Sequence, residues 1–235
     1  MNTTRTIADA AGKTTLEGFS QAEKYNKWLL NQFRRHIKGP KVLEIGCGLG
    51  NISKLLCEEF ELSALDICSE YTEHTAKELG ITTACHDISV KPYKKNHFDS
   101  AFIVNVLEHI PDEQKALANI KLALKPGGHL AVLVPAFMWL YGTVDEAIDH
   151  QRRYTRRTLR AALEKAGYEV SSVSYFNVFG MPGWLLHNRI LKKDTLPDGQ
   201  LKLFDTLVPV LKPVDVLFRK LMGISVVAHA IKPAR

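Results

Sequence analysis

Val42-Leu43-Glu44-Ile45-Gly46-Cys47-Gly48-Leu49-Gly50-Asn51 is an apolar run that breaks into three alternating glycines. Lys41 to Ile45, apolar apart from its lysine and one carboxylate, reads as a buried parallel strand. Ile52, Leu55 and Leu56 then recur at helical spacing, so a helix is expected from about Asn51 to Glu59. Strand, glycine loop and helix together form the entry to a nucleotide-binding βαβ unit. Without Cβ atoms the loop can turn sharply and let a ligand approach the backbone. Free N–H groups at the helix start can face that ligand.

The spacing narrows the ligand. A dinucleotide fingerprint wants G-x-G-x-x-G. Here the third glycine is Gly50 and position 51 is Asn, so the pattern is E-x-G-x-G-x-G with an acid inside the strand. The next strand, about Glu61 to Asp66, also ends in an acid. Asp66 is placed to accept two ribose hydroxyls; the alternative is an acid favoured by the dipole at the start of the following helix. Loop and acid together resemble motif I and the motif II acid of class I S-adenosylmethionine-dependent methyltransferases.

The whole chain bounds the reading. Its 235 residues suit one domain, expected over 16–235, with 1–15 flexible and a cap-like insertion at about 179–222. The net charge of +6 and pI near 9.1 favour acidic partners such as nucleic acid, anionic lipid or a phosphorylated substrate, against the alternative of a merely soluble basic surface. Cys47, Cys57, Cys68 and Cys85 match no zinc spacing and read as small buried hydrophobes in a reducing compartment. No signal peptide opens the chain and no apolar run reaches membrane-spanning length, so a cytoplasmic protein is expected.

Along the chain, Leu16 to Ile37 reads as one amphipathic helix. Ser69 to Leu79 is a helix capped by Gly80, and Ile81 to Cys85 is strand 3. Asp87 and Ile88 follow at its carboxyl edge; Asp87 can accept from an adenine amino group or close an Asx-turn. Phe98 to Val104 is strand 4, followed by Asn105-Val106-Leu107-Glu108-His109-Ile110-Pro111. Pro111 opens a helix to Leu124, and His129 to Val134 is strand 5. The loop from Pro135 to His150 lies at the carboxyl edge, where open α/β sheets bind ligands. Thr155 caps a helix from Arg156 to Ala166, closed by Gly167. Tyr168 to Phe176 is strand 6 and Gly223 to Ile231 the last. Between them, Pro182, Pro197, Pro209 and Pro213 are expected to break the insertion into short pieces.

Two further readings come from residue chemistry. If the acceptor is a hydroxyl, His150 is the expected proton acceptor, with Asp145 and Tyr141 as its neighbours, since imidazole titrates near neutrality. The alternative is that His150 and Arg153 brace the loop. In the insertion, Trp184, Leu185, Leu186, Ile190 and Leu191 stand near His187, Arg189, Lys192 and Lys193. Further on, Leu207, Val208, Val210, Leu211, Val214, Val216, Leu217, Phe218 and Leu221 stand near Lys212, Arg219 and Lys220. Such a mixture suits an anionic membrane surface or an internal cap with a basic rim.

The resemblance extends over nearly the whole chain. Tyr-Asn-x-Trp at Tyr25, Asn-Val-Leu-Glu-His at Asn105, Leu-Tyr-Gly-x-x-Asp ending at Asp145 and His-x-Arg-Arg-Tyr at His150 belong together. So do Tyr-Phe-Asn ending at Asn177 and Gly-Ile-Ser at Gly223. The chain resembles a bacterial subgroup of class I methyltransferases that also occurs fused to glycosyltransferase domains. That implies a doubly wound, Rossmann-like seven-stranded α/β sheet, mostly parallel with an antiparallel last strand, plus an N-terminal helix and a helical insertion. It implies S-adenosyl-L-methionine as cofactor, held by Glu44, Gly46, Cys47, Gly48, Asn51, Asp66, Ile67, Asp87, Ile88, Asn105, Val106 and His109, with Tyr25 as a lid. The chemistry requires no metal. The implied acceptor is a small molecule or a lipid-linked one, methylated on O or N, with possible peripheral membrane contact. An RNA or protein methyltransferase and a non-catalytic cofactor-binding protein are the alternatives. Nucleic acid is disfavoured because no Asn/Asp-Pro-Pro-Tyr/Phe segment follows strand 4. The oligomeric state stays open.

Overall fold

β1 (Lys41–Ile45) lies near the middle of a seven-stranded sheet of order β3-β2-β1-β4-β5-β7-β6. The computed structural model describes residues 10–192 and 200–234. β2 (Glu61–Asp66), β3 (Thr82–Cys85), β4 (Phe98–Val104) and β5 (Leu124–Pro135) run parallel to β1; β7 (Ser225–Ile231) is antiparallel to both β5 and β6 (Glu169–Phe176). The chain winds outward one way from β1 to β3 and the other way from β4. The carboxyl ends of β1 and β4 therefore border a topological switch point, where open α/β sheets form a crevice. The architecture is the one expected.

Alternation along the strands builds two cores. Leu43 and Ile45 face one side with Ile103, Val132, and the helices α4 (Glu113–Ala123) and α6 (Arg156–Lys165). Val42 faces the other with Phe102, Leu133 and Val227, covered by Trp28, Leu29 and Phe33. Glu44 shares the face of Val42 and is buried there.

Several boundaries differ from the sequence reading. The single N-terminal helix is two, α1 (Ala10–Ser20) and α2 (Glu23–Leu30), then a 3₁₀ turn at Arg34–His36. The break is stabilised by Asn26, whose side-chain amide donates to the carbonyl of Phe19 (2.8 Å) and so satisfies a helix-terminal acceptor. α1 starts inside the 1–15 stretch expected to fray; residues 1–9 lie outside the described residues.

The helix expected over Asn51 to Glu59 is a run of turns around a 3₁₀ segment, Ser53–Leu55. Bonds of i→i+4 type (Lys54 N–H to Gly50 O, Cys57 N–H to Ser53 O) interleave with i→i+3 bonds (Leu55 to Ile52, Leu56 to Ser53). The Ser53 hydroxyl is pulled inward to Glu44, which tightens this turn toward the sheet. α3 (Ser69–Leu79) and its left-handed Gly80 cap are as expected. α4 starts after Asp112, which caps Lys115 N–H (3.0 Å), and not at Pro111. β5 is longer than read, because Leu124 pairs with Phe98 before a register shift at the glycine turn.

The insertion departs most. α7 (Gly180–Trp184) continues into a π-helical turn, Leu185–Ile190, and α8 runs unbroken over 19 residues, Gln200–Phe218. Pro209 and Pro213 sit inside α8. Both lie on its exposed side, so the carbonyls they leave unpaired can bond water and the usual penalty is reduced. Two aspartates pin α8 to the body. Asp205 accepts from the Tyr25 N–H (2.7 Å), and buried Asp215 accepts from the N–H groups of Val178 (2.7 Å) and Asn177 (3.2 Å). Lys193 and Pro197 lie outside the described residues.

Candidate active site

A crevice of about 870 Å³ opens at the carboxyl ends of β1, β2 and β4. Its floor is the glycine loop. The N–H groups of Gly46 and Cys47 both donate to the carbonyl of Leu65 (2.7 and 2.9 Å), which folds the loop over the end of β2. Gly46 has φ +81°, and a Cβ there would stand 2.1 Å from Val106 Cγ2. Only glycine allows β1 to turn here with the segment after β4 this close.

The acids of β1 and β2 converge on that floor. Glu44 accepts the Ser53 hydroxyl, and its carboxyl is pushed up to about 8, chiefly by burial, with the charge of Asp66 adding to it. Asp66 accepts Gly48 N–H on Oδ2 (2.9 Å) and Cys68 N–H on Oδ1 (3.0 Å). Burial raises its carboxyl, opposed by these backbone donors. Each oxygen keeps a second acceptor site. Burial, with Glu44 and Asp66 alongside, holds the Cys47 thiol far above the thiol range, so it is no nucleophile.

The other expected binders line the same crevice: Asn51, Ile67, Asp87, Ile88, Asn105, Val106 and His109. Asp87 does close an Asx-turn, accepting Ser89 N–H (2.8 Å) and the Ser89 hydroxyl (2.6 Å) on Oδ1. Asn51 also donates to Leu16 O (3.3 Å), tying the loop to α1. Asn105 takes a left-handed backbone, φ +51°. Tyr25 borders the crevice within an aromatic cluster with Phe19, Trp28, Phe176 and Phe204. Its phenol is pushed up to about 12, mainly by burial, against a hydrogen bond with Asn177.

The residues read as catalytic also come together, though not all at the surface of the crevice. His150 lines it, and its Nδ1 stands 2.7 Å from Asp145 Oδ1. Asp145 lies behind, fully buried in α5 (Thr143–Ala147). Burial alone would raise its carboxyl; His150 and Arg153 hold it below the usual range. Arg153 Nε donates to the same oxygen (2.7 Å) and stacks over Trp184 at 4.8 Å. Tyr141 reaches only the backbone of this pair, its hydroxyl donating to the carbonyl of His150 (2.8 Å). It braces the loop and does not line the crevice. His109 stands edge-on to His150, ring centroids 4.7 Å apart, and is pushed down to about 4 by burial first and by His150 second.

Two residues escaped the sequence reading. Asn188 donates to Asp145 Oδ2 (3.0 Å) and accepts Val144 N–H (2.7 Å), so the insertion holds the loop after β5. No spacing signals a pair separated by so much chain. Glu108 was visible as an acid beside His109, but not its complete burial, which raises its carboxyl to about 7.

Residues 19–173 match the family model described as a methyltransferase domain. The chain is 31% identical over 102 residues to the ubiquinone biosynthesis O-methyltransferase of Coxiella burnetii, covering 40% of this chain and 43% of that protein. It is 28% identical over 115 residues to phosphoethanolamine N-methyltransferase 2 of Caenorhabditis elegans, covering 46% of this chain and 26% of that protein. These matches span less than half of either relative. In fold, it is similar to Haemonchus contortus phosphoethanolamine N-methyltransferase 2 in complex with S-adenosyl-L-methionine, with a TM-score of 0.66 and 18% identity over 99% of this chain and 60% of that one.

Proposed function

The chain belongs to the methyltransferase-domain family, and from that we propose that it transfers the methyl group of S-adenosylmethionine to a small, largely apolar or lipid-linked acceptor seated beside His150. The observation that carries this is the single crevice shared by Glu44, Gly46, Gly48, Asp66, Asp87 and Asn105 on one side and His150 on the other. Bound there, S-adenosylmethionine supplies a methyl group activated by its sulfonium.

The residues fit that cofactor. Asp66 keeps an acceptor site on each oxygen toward the crevice, which suits two ribose hydroxyls. Ile67, 58% exposed, offers apolar cover for a base, with Asp87 beside it as acceptor for an exocyclic amine. Glu44, Asn105, Val106 and His109 border the part left for the methionine end. Tyr25 and Phe19, stacked with centroids 5.5 Å apart, form the wall beside the loop. Holding donor and acceptor in line lowers the barrier with little further chemistry needed. For a hydroxyl acceptor, His150 takes the proton, with Asp145 orienting the ring and Tyr141 and Arg153 bracing the loop.

The acceptor side points to lipid. Leu201, Leu203, Phe204 and Leu207 of α8 border the crevice. The outer side of the same helix exposes Val210 (69%), Leu217 (75%) and Leu221 beyond its end (70%), beside Lys212, Arg219 and Lys220. An internal cap would bury those side chains. No helix among the described residues is long and apolar enough to cross a membrane, so the contact proposed is peripheral. The motifs around Tyr141 and His150 also support the bacterial subgroup that occurs fused to glycosyltransferases. Calorimetry with S-adenosylhomocysteine and with NAD tests the cofactor. Saturable binding of the first, lost in Asp66→Ala, is expected; binding of NAD alone would overturn the reading.

A further inference from the structure

Glu108 sits in the 3₁₀ turn Leu107–His109 between β4 and α4, fully buried, and neither of its carboxylate oxygens has a hydrogen-bond partner. Oε1 stands 3.6 Å from His150 Nε2. The other ring nitrogen, Nδ1, is committed to Asp145, and Asp145 is held in turn by Arg153, Asn188 and the Gly142 N–H. Nε2 is therefore the ring nitrogen left to face Glu108 Oε1. A fully buried carboxyl with no hydrogen-bond partner calls for one, either a proton or a metal ion.

His109 completes the group. Among the described residues, Glu108, His109 and His150 form the one cluster whose ligand atoms lie within 4.8 Å of one another. Ligands about 2.0–2.2 Å from a tetrahedral zinc ion stand roughly 3.4 Å apart, so the side chains would close by about 1 Å or a little more on binding it. Two imidazoles and a carboxylate are a zinc donor set, and a carboxylate behind one histidine is the usual outer support.

We propose that Glu108, His109 and His150 form a binding site for a divalent transition-metal ion, Zn²⁺ fitting best, with a position open to the crevice for an oxygen of the acceptor. The role of that open position rests on the methyl-transfer reading; the binding of the ion does not. An acceptor hydroxyl on the ion loses its proton to solvent instead of to His150. Its oxygen then bonds to the methyl carbon as the carbon–sulfur bond breaks, and sulfur keeps the electron pair.

The test is titration of chelator-stripped protein with Zn²⁺ in a calorimeter and with Co²⁺ followed by visible absorption, both with and without S-adenosylhomocysteine. One ion per chain is expected, with a tetrahedral or five-coordinate Co²⁺ spectrum, and affinity at least tenfold weaker in Glu108→Gln at unchanged circular dichroism. If Glu108→Gln does not fold, the Co²⁺ spectrum of the unaltered protein decides alone. Failure to bind either ion, or equal binding by Glu108→Gln, overturns the site; a proton shared by Glu108 and His150 then balances the charge. Loss of S-adenosylhomocysteine binding with the ion still held would overturn the methyl-transfer reading and leave the site standing.

Discussion

Glu44 and His150 mark the two ends of the residue-scale chemistry. Glu44 has a carboxyl near 8 in the folded chain against an ordinary value of 4.5, because burial disfavours its charge and Asp66 adds to the effect. The sign follows from linkage. Between about pH 4.5 and 8 the folded chain holds a proton at Glu44 that the unfolded chain has lost, so this group's contribution to stability falls as pH rises through that window. Glu44→Gln removes the dependence. Urea midpoints measured from pH 5 to 8 are expected to decline less steeply in the variant than in the parent; parallel curves would contradict it. At the other end, His150→Ala is expected to lower turnover by about 10²-fold or more, the usual contribution of a positioned proton acceptor or ligand. It is measured as S-adenosylhomocysteine released with a lipid extract as acceptor source. Unchanged turnover would leave His150 a brace only.

At the scale of elements, α8 carries both the pinning and the exposure. Its inner side is fixed through Asp205 and Asp215, and its outer side offers Val210 and Leu217 to whatever surface it meets. Vesicle flotation should recover the protein with anionic vesicles, less with neutral ones, and less again after Leu217→Asp or Lys220→Glu. Interfacial apolar contact and headgroup charge contribute separately, the latter about 1 kcal/mol per basic residue near the surface. Absence from both kinds of vesicle would leave α8 as a cap.

For the whole molecule, ligand and fold are linked because the crevice gathers the ends of several strands and residues of α1, α2, α3, α7 and α8. S-adenosylhomocysteine at about 100 times its Kd stabilises the folded chain by about 2.7 kcal/mol. In a chain of this size that raises Tm by roughly 5–10 °C, read by differential scanning fluorimetry; no shift would argue against a preformed site. The half of the molecule around this crevice was legible beforehand, since strand runs, glycines and acids at strand ends are local signals. β1, β2, β4, α3 with Gly80 and α6 with Thr155 stand within a residue or two of their expected places. What was not legible depends on distant partners. Ser53 bends to Glu44 and costs the expected helix, two prolines are tolerated in α8 because they face water, and Asn188 finds Asp145 across the insertion. Glu108 is legible as a letter, but its lack of a partner belongs to the packed interior.

The insertion leaves and re-enters the sheet at a single rung. Phe176 ends β6 and Ser225 begins β7 directly opposite it, and the Ile224 N–H bonds back to the carbonyl of Asn177 (3.0 Å). Gly223 presses so close that a Cβ would stand 2.5 Å from the carbonyl oxygen of Phe176. Everything between those strands hangs from one hairpin mouth. A segment of another length grafted there would meet the sheet at the same rung, provided it replaced the contacts of Asn188 with Asp145 and of Asp205 with Tyr25. On the methyl-transfer reading, a graft at that mouth is the place to alter what borders the acceptor side while β1, β2 and the loop between them keep their sequence.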